Sequence, residues 1–272
     1  MTATPATPAT RHLDLPGGRI AYDDTEGTGP LVLCLPGLGD TRGVFRHAAP
    51  LLVAAGYRVV TADLRGAGES SADWASYNPE DSAEDAIALL RHLGAGPAIV
   101  VGTSFTGASV LWIAAEAPEL VAGIVLSGPF IRDIPKNAVI KAAEWLVGRT
   151  PALWLTYWKT LFPTRKPADH AAYAARLKTS LKQPGHVAAL RAMLASSRAA
   201  CESRAAELTR PALVVMGTKD SDFKDPAAEA RLVAERTHGT VVMVDGSGHY
   251  PQAEFPDAWV AAVAEFAAKT AA

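Results

Sequence analysis

The sequence predicts a mostly parallel, twisted sheet with helices on both faces and a helical segment inserted between two of its strands. Three observations predict this. Short β-branched apolar runs recur along the chain between helix-like segments. These runs are apolar throughout rather than alternating, as strands covered on both faces must be. The alternation then stops over residues 130–206, where Ala-rich stretches, five prolines and three of the six tryptophans gather without a strand-like run.

Taken in order, residues 11–15 and 19–23 form an edge hairpin through Pro16-Gly17-Gly18. The run LVLCL at 31–35 is a buried strand, followed by a helix over 45–55 and a strand over 57–63. A helix over 79–93 precedes the strand 98–102, a helix over 104–117 follows it, and 121–127 is the next strand. Beyond the insertion come a strand at 212–217, a helix at 226–237, a strand at 240–245 and a helix at 256–269. Pro79, Pro226 and Pro256 stand at the starts of three of these helices, where a missing N–H costs nothing. The expected organisation is a tail at 1–10 without structure, a core of 11–129 and 207–272, and a helical cap of 130–206.

Composition narrows the function classes. Hydrophobic residues make up 49% and charged residues 20% of the 272, as in a folded globular protein. The net charge of −2 and the lack of a Lys/Arg run argue against nucleic acid. No apolar stretch is long enough to span a bilayer, and the start MTATPATPATRH lacks the basic and apolar regions of a signal peptide. Cys34 sits in an apolar run and Cys201 in a polar one, a usage that suits a reducing cytoplasm. There is no HExxH, CxxC or GxxxxGK[ST] pattern and no dinucleotide fingerprint, so no metal or cofactor is expected.

The stretch Gly102-Thr103-Ser104-Phe105-Thr106-Gly107 carries a serine where a strand hands over to a helix. Small neighbours let the two backbones approach and hold the hydroxyl out, and the helix start offers free N–H groups to a developing anion. Serine is a weak nucleophile without a base. His249, on the Gly-rich loop after the last strand, has the right context, whereas the other six histidines lie in the tail or on helices and their ends. Asp220 and Asp222 follow the preceding strand, at the same carboxyl-end edge of the sheet. The plain alternatives are a helix-capping serine, a loop histidine bonded to backbone and turn-capping aspartates.

In this order, LCLPGLGD, ADLRGAGES, the serine turn, MGTKD and GSGHYPQAE resemble the α/β-hydrolase superfamily from about residue 15 to the end of the chain. The resemblance implies Ser104 as nucleophile, His249 as general base and Asp220 as the acid that orients it. It implies an oxyanion hole made by the N–H groups of Leu38 and Phe105. Two departures stand out: Thr106 where the family has Gly, and Pro36 where it often has His. Asp222 reads as a turn cap or a partner of Lys224. The tract 63–70 reads as a structural turn with an Asp–Arg pair, and Asp40 with Arg42 as a solvated surface pair.

The expectation is a cofactor-independent serine hydrolase of a small, largely apolar ester or lactone. Trp154 and Trp158, four apart on one helical face, with Tyr157 and Trp145, would line its pocket. Its activity would rise near the ordinary histidine pKa, within roughly pH 5 to 8. Rival readings keep the triad for carbon–carbon bond hydrolysis or perhydrolase-type haloperoxidation, or drop catalysis for ligand binding on the same fold. An epoxide hydrolase or haloalkane dehalogenase would need Asp at the elbow, where this chain has Ser104.

Overall fold

A computed structural model describes residues 9–135 and 137–270. The expected tail falls largely on residues 1–8, outside the described residues. Thr10 is described, and its hydroxyl accepts from Arg42 Nη2 at 2.7 Å.

The elements follow in chain order. They are β1 (Arg11–Leu15), β2 (Gly18–Asp24), β3 (Leu31–Leu35), α1 (Ala48–Ala54), β4 (Arg58–Ala62), α2 (Pro79–Leu93) and β5 (Ala98–Thr103). Next come α3 (Thr106–Glu116), β6 (Val121–Ser127), α4 (Ala138–Val147), α5 (Pro151–Thr160), α6 (His170–Leu181), α7 (His186–Ala195) and α8 (Ala199–Ser203). The chain closes with β7 (Ala212–Gly217), α9 (Pro226–Thr237), β8 (Thr240–Val244), α10 (Pro251–Glu254) and α11 (Pro256–Thr270).

Eight strands among the described residues form one sheet, in the order β1-β2-β4-β3-β5-β6-β7-β8. The β1–β2 and β2–β4 pairings are antiparallel and the remainder parallel. Strands β3, β5 and β7 are buried at every residue, which is why they read as unbroken apolar runs. Their side chains feed two cores, one on each face. One holds Leu33, Val100, Leu111 and Ile124; the other holds Val32, Val101, Leu52 and Trp259.

Local chemistry sets the helix starts. The backbone N–H of Asn78 donates to Asp81 Oδ2 at 2.7 Å at the head of α2. Asp225 accepts from Ala228 N at 2.9 Å at α9. At α5 the Thr150 hydroxyl accepts from Leu153 N at 3.2 Å, with Pro151 at the first helical position.

Two helices begin later than the sequence suggests. α1 starts at Ala48, because Arg42–Phe45 forms a separate 3₁₀ turn. α3 starts at Thr106, because Ser104 takes a left-handed conformation that no helix accommodates.

The interval between β6 and β7 is helical, α4 through α8, with no strand among the described residues. No helix among the described residues is long and apolar enough to cross a membrane. Cys34 and Cys201 are both free and buried.

Candidate active site

Ser104 has φ of +55°, an uncommon backbone for a residue with a Cβ. Two bonds brace it: its N–H donates to Ser127 O at 3.0 Å, and its carbonyl accepts from Phe130 N at 3.0 Å. The turn is thus strapped to the carboxyl end of β6. Thr106, where the resembling family has Gly, is fully buried, and its hydroxyl is an anchor. It accepts from Thr103 N at 2.8 Å and lies 3.1 Å from each of the carbonyls of Leu35 and Pro36. The departure therefore ties the serine turn to the end of β3.

The segment after β3 folds back at Gly37–Asp40, where Asp40 N donates to Gly37 O at 3.3 Å. Gly39 has φ of +66°, the third-position conformation that a type II turn demands and glycine supplies. A Cβ on Gly37 would stand 3.0 Å from Ser104 Cβ, so this turn presses on the serine. Neither Leu38 N nor Phe105 N donates a hydrogen bond among the described residues. Two free amide N–H groups therefore belong to the chain beside Ser104.

His249 and Asp220 are buried, at 1% and 2% exposure. His249 Nδ1 lies 2.8 Å from Asp220 Oδ2. The other Asp220 oxygen accepts from Asp222 N at 3.0 Å, which fixes the carboxylate plane. A Cβ on Gly128 would come within 3.3 Å of His249 Nδ1 and 3.4 Å of Asp220 Oδ2. Gly128 sits between Ser127 and Phe130, the two residues that brace Ser104, so the three predicted residues flank one segment.

The histidine loop has supports that its sequence did not advertise. Glu254, 1% exposed, accepts from Gly248 N at 2.8 Å and Ser247 Oγ at 3.2 Å. Burial pushes its carboxyl up to about 7. His249 N donates to Leu161 O, just past α5, at 3.0 Å.

Asp222 departs from its expected role. Its Oδ2 lies 3.7 Å from His249 Nε2, and the Tyr157 hydroxyl lies 2.8 Å from each of its oxygens. It is a second acidic side chain at the imidazole rather than a turn cap. Burial raises its pKa, against the pull of His249. Burial alone would lower the His249 pKa, but the charges of Asp220 and Asp222 outweigh it and push the imidazole up to about 9. Ligand atoms of Asp220, Asp222 and His249 lie within 4.8 Å of one another, close enough to hold a cation. Tyr157 and the Nδ1 hydrogen bond already partner them.

The expected pocket aromatics divide. Trp154, 2% exposed, sets the edge of its indole against Gly39, where a Cβ would meet the ring at 2.5 Å, and Tyr157 reaches Asp222 beside His249. Trp158 does not line a pocket: it is 0% exposed, enclosed by Phe162, His170 and Tyr173. Trp145 is 64% exposed on α4, against Arg149, and is not brought to the site. Asp40 and Arg42 form no surface pair. Asp40 is fully buried, and Arg42 pairs with Asp23, Asp63 and Glu69. The tract 63–70 is structural, as its sequence suggests, but its arginine pairs outside it: Arg65 binds Asp85 at 2.8 Å.

A family model described as the α/β hydrolase fold matches residues 30–256. The chain is 29% identical to the 2-(acetamidomethylene)succinate hydrolase of Mesorhizobium japonicum, over 94% of each chain. It is 31% identical to the monoacylglycerol lipase of Mycolicibacterium smegmatis, over 81% of each. Among solved structures, it superposes on a bromoperoxidase from Bacillus anthracis with a TM-score of 0.81 at 21% identity, covering 96% of this chain and all of the other.

Proposed function

Since the chain belongs to the α/β-hydrolase family and is a hydrolase, we propose that it cleaves a small, largely apolar ester or lactone through Ser104, His249 and Asp220. The observation that carries this reading is the left-handed Ser104 turn beside a buried His249–Asp220 pair, with free amide groups at Leu38 and Phe105. In this mechanism Ser104 Oγ attacks the carbonyl carbon while His249 Nε2 takes its proton. The Asp220 carboxylate holds the Nδ1–H and stabilises the imidazolium. The two N–H groups receive the oxyanion, and its collapse expels the alcohol, which takes the proton from Nε2. Water then attacks the acyl-enzyme by the same route in reverse, releasing the acid and restoring Ser104.

The surroundings support this substrate class. Phe130 and Phe223 offer aromatic surface, stacked at 4.7 Å with Phe130 6.1 Å from the His249 ring. Such walls suit acyl carbon. Residues 130–206 act as a cap, with Tyr157 as its contribution to the pocket. A fluorophosphonate probe is expected to label Ser104 stoichiometrically, and turnover of p-nitrophenyl esters to rise over the first few acyl carbons, each buried methylene contributing about 0.8 kcal/mol. An unlabelled protein, or labelling at another residue, overturns the reading.

The pH profile carries a second expectation. His249 must be neutral to accept a proton, and its imidazolium is held up to about 9 by the two neighbouring carboxylates despite burial. kcat/KM is therefore expected to climb through about pH 9, above the ordinary histidine range of about 6.5. Asp222→Asn removes one of the two charges and should move the rise to lower pH. The linked stability has the same sign: it is fully present below the unfolded pKa of about 6.5 and is lost as pH rises through the folded value. A rise centred near 6.5 in both wild type and variant would show that Asp222 does not act on the imidazole.

A further inference from the structure

The Gly37–Asp40 turn is gripped by the inserted helices rather than by the sheet. Trp154 Nε1, on α5, donates to Gly39 O at 2.9 Å. Trp158 Nε1, one turn later, donates to Asp40 Oδ2 at 2.9 Å. The Tyr173 hydroxyl of α6 donates to Asp40 Oδ1, which also accepts from Thr41 N at 2.7 Å. Asp40 is 0% exposed. A buried carboxylate is costly unless its lone pairs are filled, and this one is filled by aromatic donors more than 110 residues away in sequence. Tyr173 is itself held: the Arg46 guanidinium lies 4.0 Å over its ring, and its hydroxyl also bonds Thr41 Oγ1 at 3.0 Å. The far side of the same turn meets Ser104, through Gly37.

We propose that Asp40, Trp154, Trp158 and Tyr173 are positioning residues that aim the Leu38 N–H at the developing oxyanion, so that the inserted helices build half of the oxyanion hole. This rests on the reading of Leu38 N–H as an oxyanion donor. Leu38 stands between the glycine that touches Ser104 and the glycine that Trp154 holds. Its amide direction is therefore set by a turn with one end on the nucleophile and the other on α5 and α6. Trp158 has no exposed surface to offer a substrate, so its hydrogen bond to Asp40 is its contact with the site. An oxyanion donor acts only if it is already in place when charge develops, and losing one outright costs about 10²–10³ in kcat. Misaiming one should cost a part of that.

The test uses Tyr173→Phe, which keeps the ring under Arg46, and Asp40→Asn, which keeps the side-chain volume. Turnover is measured per fluorophosphonate-titrated serine, so misfolded protein does not count. Both variants are expected to lose roughly 10–100-fold in kcat with KM within about twofold. The inhibition constant of a trifluoromethyl ketone, whose adduct places an oxyanion in the same site, should weaken by the same factor. A structural role alone would lower the thermal midpoint and the titratable fraction while leaving kcat per titrated site and the ketone affinity unchanged, and that result overturns the proposal. So does a rise in KM at constant kcat, which would make these aromatics substrate contacts. A wild-type protein that takes up no fluorophosphonate at Ser104 overturns the hydrolase reading and this inference together. Labelled wild type with unaffected variants overturns the inference alone.

Discussion

Ser104→Ala is expected to lower ester turnover by roughly 10⁴–10⁶-fold while leaving the fold intact. In the proposed mechanism the loss is this large because the hydroxyl would form the covalent intermediate, and without it His249 has no proton to take. Stability should barely change, since Ser104 Oγ makes no hydrogen bond to another described residue, and the two bonds that brace the turn belong to its backbone. Ser104→Gly separates the two properties further. At φ of +55° a side chain costs about 1–2 kcal/mol that glycine does not incur, partly offset by the greater freedom of glycine in the unfolded chain. The glycine variant should therefore be inactive yet melt at or slightly above the wild-type temperature. Turnover by the alanine variant within tenfold of wild type would remove Ser104 from the mechanism.

Asp220→Asn is expected to cost about 10³–10⁴-fold in kcat, against less than about tenfold for Asp222→Asn measured at alkaline pH. The two carboxylates differ in which nitrogen they face. Asp220 meets Nδ1 at 2.8 Å and so fixes the tautomer that leaves Nε2 free to accept. An amide at 220 can donate to Nδ1 instead, which places the proton on Nε2 and blocks the reaction. Asp222 lies 3.7 Å from Nε2 and is bound by Tyr157, so its loss changes the charge at the imidazole and leaves the tautomer alone. Steady-state kinetics of both variants across pH decide it. A steeper loss at 222 than at 220 would exchange their roles.

The parts of this molecule legible in the sequence are those encoded locally. Runs such as LVLCL and AIVVG read as strands because both faces are covered, and the strands and α9 lie close to where they are predicted. The Ser104 turn is legible as a strand-to-helix corner, and its glycine departure at Thr106 is absorbed by a hydroxyl that accepts from Thr103 N beside the carbonyls of Leu35 and Pro36. What was not legible depends on partners distant in sequence. Asp40 and Arg42 look like a local pair, yet Asp40 is held by Trp158 and Tyr173, and Arg42 by Asp23, Asp63 and Glu69. Trp158 looks like a pocket residue because an aromatic on an inserted helix could face either way. Only the packing of Phe162, His170 and Tyr173 around it decides. Asp222 looks like a turn cap for the same reason: Tyr157, its partner, lies 65 residues earlier.

Helix α5 and the residue just beyond it meet the site at four places: Trp154 at Gly39, Tyr157 at Asp222, Trp158 at Asp40 and Leu161 at the backbone of His249. Their spacing is that of one face of a helix over two turns. Inserting or deleting one residue between them would rotate the later contacts by about 100° relative to the earlier ones and misplace them all at once. Length changes are thus confined to the connections on either side of α5. Any attempt to exchange this segment for that of another protein of the same fold must carry over the rotational phase of that single helix, and an acceptor equivalent to Asp40 along with it.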